Sequence, residues 1–94
     1  MRVIWKPQAV KDLEAIEEYY LKVAPKFADI LIDEIHHQTD KLKKFPKSGR
    51  KVPEINDPAI REVIHKNYRI IYHVSSAEEK VEILTVYHSS REFG

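Results

Sequence analysis

Three β-type runs follow one another in the last third of the chain, IREVI at 60–64, YRIIYHV at 68–74 and VEILTVYH at 81–88, with only a few residues between them. Such short connections join antiparallel neighbours, so the runs read as one meander. The loop SSAEEK sets Val74 opposite Val81. Arg69 then pairs with Val86, and His88 is its diagonal neighbour, roughly 7 Å away on one face. The turn His65-Lys66-Asn67, read as a three-residue loop with Asn67 in the left-handed region, pairs Ile64 with Tyr68 and brings Arg61 to the same face. Two guanidinium groups and an imidazole converge on this register. The opposite face collects Ile60, Ile64, Tyr68, Ile70, Tyr72, Val74, Val81, Ile83 and Tyr87, broken by Glu62 and Thr85, and is the expected core side. A slip of one residue would scatter the cluster.

Upstream, Val3-Ile4-Trp5 reads as a short strand, stopped by Lys6-Pro7, and Pro7 suits the first position of a helix. That helix runs to about Lys22, with Ala9, Leu13, Ile16 and Tyr20 forming one apolar stripe. Ala24-Pro25 breaks the pattern. A second helix follows from about Lys26 to Lys44, striped by Phe27, Ile30 or Leu31, Ile35, Leu42 and Phe45, and the short connection implies a helical hairpin. Pro46 to Gly49 ends it with turn chemistry, and Arg50 to Asp57 is a linker containing Pro53. The expected architecture is therefore one α+β domain over residues 1–94, ordered β-α-α-β-β-β, with an antiparallel sheet packed against an N-terminal helical hairpin.

Composition narrows the function. A chain of 94 residues buries only roughly 60 to 65 per cent of its unfolded surface and supports one core. At 43% hydrophobic and 33% charged it is neither disordered nor membrane-spanning, and with no signal-peptide pattern a cytoplasmic location is expected. The absence of cysteine excludes disulfides, thiolate nucleophiles and cysteine-based zinc sites. The net charge of +1 hides an uneven layout: KLKKFPKSGR at 41–50 is basic with no acid, whereas the first helix carries Asp12, Glu14, Glu17 and Glu18. Such a strip suits an anionic partner, although lysines at a helix C-terminus also simply favour its dipole. His36 and His37 point in different directions on a helix, and His73 with Glu82 is a lone cross-strand pair. No metal and no cofactor are expected.

The ordered set WKPQAVKDLEAIEEYY, FPKSGRKVPE, IRE, YRIIY and VYHSSRE resembles the RelE/ParE superfamily of type II toxin-antitoxin toxins over nearly the whole chain. The resemblance implies a compact toxin held inactive by a cognate antitoxin and slowing growth when released. RelE-like and YoeB-like members cleave messenger RNA in the ribosomal A site, whereas ParE-like members poison DNA gyrase. GRKVPE looks more like the ParE branch. Position by position, however, Arg69 and His88 look like the arginine and catalytic histidine of the YoeB type. Arg61 aligns with a basic residue of the equivalent strand, Glu54 is a loose match to the YoeB glutamate, and Arg91 is placed like a late arginine of RelE. The catalytic tyrosine of RelE has no clear counterpart, Tyr87 falling on the expected core face.

These residue types suit RNA cleavage by a 2′-hydroxyl, which needs a base, an acid for the departing 5′-oxygen and cations for the charge on the phosphate. Glu54 or His88 would be the base, His88 the acid, and Arg61 with Arg69 or Arg91 the phosphate clamp. The same residues also suit an ordinary polar sheet face with a structural His88. Val63, Ile71, Leu84 and Val86 share that face, and so much apolar surface calls for a cover: an antitoxin segment, the C-terminal tail or the Arg50–Asp57 linker. The leading expectation is a toxin that acts on the ribosome and its mRNA as an endoribonuclease. The alternatives are a non-nuclease poison of DNA gyrase and an inactive toxin-fold binding module.

Overall fold

The computed structural model describes residues 1–90. A strand β1 (Arg2–Trp5) leads into helix α1 (Pro7–Val23), and α2 (Pro25–Asp40) follows after Ala24 alone. Both helices carry proline in the first turn, where the missing N–H costs nothing. A 3-10 turn, Lys41–Lys43, extends α2 to about the expected end and buries Leu42. Then come β2 (Arg50–Lys51), β3 (Ile60–His65), β4 (Tyr68–Ser75) and β5 (Lys80–His88). The architecture is the expected α+β one, and the 60–88 region is the expected antiparallel meander. Two strands extend it to a five-stranded mixed sheet in the order β1-β5-β4-β3-β2. β1 lies parallel to β5, and β2, within the expected linker, adds an antiparallel edge to β3.

One face of the sheet carries both helices. Ala9 and Leu13 of α1, with Leu31 and Ile35 of α2 and Leu42, bury themselves against Tyr68, Ile70, Tyr72, Val74, Val81, Ile83 and Val86. Ile16, Tyr20 and Phe27 complete the helical stripes at the margin of this core, whereas Ile30 and Phe45 are exposed. Each large side chain so buried contributes about 1.5–3 kcal/mol.

The register differs from expectation at both hairpins, by one residue each time. Val74 does pair with Val81, but Tyr72 pairs with Ile83 while Ile71 pairs with Thr85, leaving Leu84 as an extra residue on β5. This bulge turns the rest of β5 over. Arg69 therefore pairs with Tyr87 instead of Val86; Val86 enters the core and Tyr87 leaves it. Asp12 of α1 holds the region after the bulge, accepting hydrogen bonds from the Thr85 hydroxyl and the Val86 N–H. At the other hairpin the turn has two residues, Lys66 and Asn67, and it is Lys66 that takes positive φ (53°). His65 consequently faces Tyr68 and Ile64 faces Arg69. Val63 packs on the core, while Glu62 and Ile64 turn outward.

Candidate functional site

These two slips separate the residues expected to converge. Successive strand residues alternate between faces. Arg69, between the core residues Tyr68 and Ile70, projects from the sheet face opposite the helices, together with its cross-strand neighbours Ile64 and Tyr87. Arg61 pairs with Tyr72 and belongs to the helix side, where its guanidinium Nη1 donates to the Gly49 carbonyl at 3.0 Å. His88 pairs with Tyr68, also on the helix side. Tyr68 and Tyr72 are four residues apart, so His88 and Arg61 are separated by roughly 13 Å along the strands. The expectation of a shared Arg61, Arg69 and His88 face is thus corrected. Arg91 lies outside the described residues.

Arg69 is built into the outer face. Its Nε donates to Glu62 Oε2 at 2.6 Å, while Nη1 and Nη2 grip both Glu54 oxygens at 2.7 and 2.9 Å. Glu62 is only 1% exposed, and its second oxygen accepts from Arg50 Nε at 2.7 Å. Two guanidinium groups and two carboxylates therefore alternate as Arg50, Glu62, Arg69 and Glu54. The Tyr87 ring lies 5.4 Å from the Arg69 guanidinium carbon, within cation–π range. Arg69 itself is 8% exposed.

GRKVPE is the segment that brings these partners in. The Gly49 N–H donates to the Tyr72 hydroxyl, Arg50 reaches Glu62, Val52 is buried, and Glu54 closes over Arg69. Val52 lies opposite Ile60, to whose carbonyl its N–H points, which puts it on the outer face with the buried Ile71. The Arg50–Asp57 linker, one of the covers expected for that face, lays Val52 beside Ile71 and Glu54 against Arg69.

The charges respond to this arrangement. Hydrogen bonding to Arg69 lowers the Glu54 carboxyl to about 2, and hydrogen bonds from Glu54 and Glu62 raise Arg69 above the ordinary arginine range. Burial pushes the Tyr87 phenol up, so it stays protonated near neutral pH. A carboxylate with its pKa lowered from 4.5 to about 2 contributes stability that is complete above pH 4.5 and is lost as the pH falls toward 2. The unfolding midpoint should therefore decline through that window. Glu54→Gln should flatten the decline; a variant with the wild-type slope would mean that Glu54 does not hold Arg69 in solution.

His88 sits at the far end of β5. Its ring stands edge-on to Tyr68 at 5.5 Å, and Nδ1 accepts from the Ser90 N–H at 3.2 Å, which leaves the proton of the neutral ring on Nε2. A groove of about 550 Å³ opens beside it, lined by Asp12, Tyr19, Tyr20, Tyr68 and Tyr87 among others. Among the described residues that line it there is no lysine or arginine.

Arg50 and Glu62, the other half of the network, escaped sequence reasoning. Glu62 registered only as a break in the presumed core face. Its one available signal was an acid whose same-face neighbours, Ile60 and Ile64, are apolar, with Arg61 beside it and Arg69 on the next strand. Among the described residues no helix is long and apolar enough to cross a membrane, and no three His, Asp or Glu side chains come together as a metal-binding group.

No curated protein matches the chain. Among solved structures it is similar to a toxin-antitoxin system of Pseudomonas aeruginosa, the chromosomal ParDE, at 22% identity and a TM-score of 0.77, covering 94% of this chain and 95% of that one. It is also similar to the isolated Escherichia coli RelE toxin, at 14% identity and TM-score 0.71, over 97% of this chain and 86% of that one. The RelBE2 toxin-antitoxin complex of Mycobacterium tuberculosis aligns at 19% identity and TM-score 0.66, over 93% and 95%. At these identities the structural likeness is one of fold. The sequence carries the family: residues 3–93 match the ParE toxin of type II toxin-antitoxin systems, parDE, and the chain belongs to that family.

Proposed function

We propose that this toxin arrests growth by binding and poisoning DNA gyrase, as the ParE branch does, and that a cognate antitoxin holds it inactive until release. One observation carries the choice against RNA cleavage: Arg69, the expected phosphate clamp, already spends its fork on Glu62 and Glu54. A guanidinium gripped by two carboxylates and only 8% exposed offers little to a phosphate. Further features point the same way. Glu54, with its pKa near 2, is a weak proton acceptor, and His88 stands on the other face from Arg69. The similarity to the ParDE and RelBE2 systems supports an antitoxin as partner.

The test is inducible expression of wild type and His88→Ala in a susceptible bacterium, with translation and the DNA-damage response followed separately over the first minutes. The expected result is a DNA-damage response while translation continues, the same for both proteins, and accumulation of cleaved-DNA complexes with purified gyrase. An immediate stop in translation with trimmed messenger RNA, relieved by His88→Ala, would overturn the reading in favour of the ribonuclease.

A further inference from the structure

The basic strip has no part in the network around Arg69 apart from Arg50, yet it is the densest run of like charge in the sequence. Lys41, Lys43, Lys44, Lys47, Arg50 and Lys51 occur within eleven residues without an acid, and the remainder of the chain is net negative. All six side chains are exposed. The 3-10 turn at Lys41–Lys43 leads through the Pro46 turn into β2, and Lys41 and Arg50 line one groove of about 330 Å³ with Ser48, Gly49 and the buried Glu62. Arg61 joins from β3, its Nη1 on the Gly49 carbonyl.

Among the described residues, acids pair with two of the six cations, Lys43 and Arg50. Asp40 pairs with Lys43 at 3.4 Å, Glu62 is buried between Arg50 and Arg69, and Glu54 is held by Arg69. Arg50 gives its Nε to Glu62 while its side chain remains 59% exposed. A favourable helix dipole accounts for lysines in the last turn of α2. It does not account for Lys47, Arg50 and Lys51, which lie beyond the helix. Nor does it account for Phe45, 63% exposed in the middle of the strip, where a solvated lysine face has no use for an aromatic ring. Clustered cations with an exposed apolar ring among them suit a phosphate backbone: the cations replace counterions on the phosphates, and the ring packs against sugar.

We infer that the strip from Lys41 to Lys51, with Phe45, binds the phosphate backbone of duplex DNA. This rests on the gyrase reading for the choice of DNA over RNA, since a gyrase poison works on an enzyme that already holds a DNA segment. The toxin would bridge protein and DNA, which suits a poison that traps the cleaved complex.

Fluorescence anisotropy with a labelled 20-base-pair duplex tests it across a salt series. Four phosphate contacts predict a slope of log affinity against log salt of about −3.6, a loss on the order of 10²-fold between 50 and 200 mM. Lys41→Gln, Lys44→Gln and Lys47→Gln together should flatten that slope by about 3 at an unchanged unfolding midpoint, while Phe45→Ala should weaken binding with the slope unchanged. Polyglutamate bound as tightly as DNA at matched salt would overturn the inference in favour of an acidic protein partner. Single-stranded RNA preferred over the duplex would overturn the choice of DNA. Adding purified gyrase separates the two readings. If the triple variant still traps cleaved DNA at wild-type levels, the strip plays no part although gyrase is the target; if wild type binds DNA but never affects gyrase, the strip stands and the proposed function falls.

Discussion

Arg69→Ala should weaken growth arrest by destabilising the toxin, whatever its target. The substitution leaves Glu62, 1% exposed, with an unmatched charge on the oxygen that Arg69 held at 2.6 Å. Breaking a buried pair by removing one partner costs about 3–5 kcal/mol. For a domain of this size that lowers the thermal midpoint by roughly 15–30 °C, a large part of an ordinary stability margin. Loss of toxicity in this variant is therefore no sign of catalysis. The informative protein is the double variant Glu62→Leu with Arg69→Met, which removes both buried charges and fills their space with apolar atoms. Such replacements are often neutral or stabilising. Glu54 and Arg50, the partners left behind, are 39% and 59% exposed and can be solvated. Urea unfolding should show the double variant recovering most of the loss, a coupling of about 2 kcal/mol or more. As a binding poison it should then arrest growth like wild type. A folded double variant without toxicity would mean that Arg69 touches the target and that the network of carboxylates opens to let it do so.

The element order was legible because each element carries its own period: 3.6 in the two helical stripes, two in the strands, with proline and short polar loops as punctuation. The site was not, because it depends on parity. A side chain's face changes sign with every residue inserted, so the single extra residue at Leu84 exchanged Tyr87 with Val86, and the shorter turn at Lys66-Asn67 exchanged Glu62 with Arg61. Neither event leaves a local mark. The bulge is held by Asp12, seventy-three residues before Thr85, and the network joins Arg50 to Glu62 and Glu54 to Arg69 across separations of 12 and 15 residues. GRKVPE was recognisable as a family string, yet its physical content appears only once β2 is laid beside β3. Arg69, expected in a phosphate clamp, and Glu54, expected as a candidate base, meet instead as an ion pair.

Gly49→Ala should cost at least about 2–3 kcal/mol, through space alone. Gly49 does not have a positive φ, so backbone freedom is not the reason for glycine here. An added Cβ would stand 2.5 Å from the Glu62 carbonyl oxygen, 2.5 Å from the Tyr72 hydroxyl and 2.9 Å from Tyr72 Cε1. The carbonyl belongs to β3 and the ring is fully buried, so neither can yield cheaply. The strap formed by Gly49 to Glu54 must then lift. Lifting it stretches the hydrogen bond from the Gly49 N–H to Tyr72 and carries Arg50 and Glu54 away from the pair they bracket. Overpacking of this kind costs about 1–3 kcal/mol before those losses are added. Hydrogen exchange at the amides of Arg50 to Val52 should accelerate more than that of β4, and the thermal midpoint should fall by roughly 10 °C or more. Ser48→Ala, one residue earlier and exposed, is the matched control and should change neither. Wild-type stability in Gly49→Ala would mean that the strap rides loosely on the sheet. In that event Glu54 would not be a fixed partner of Arg69, and the guanidinium would again be open to a phosphate.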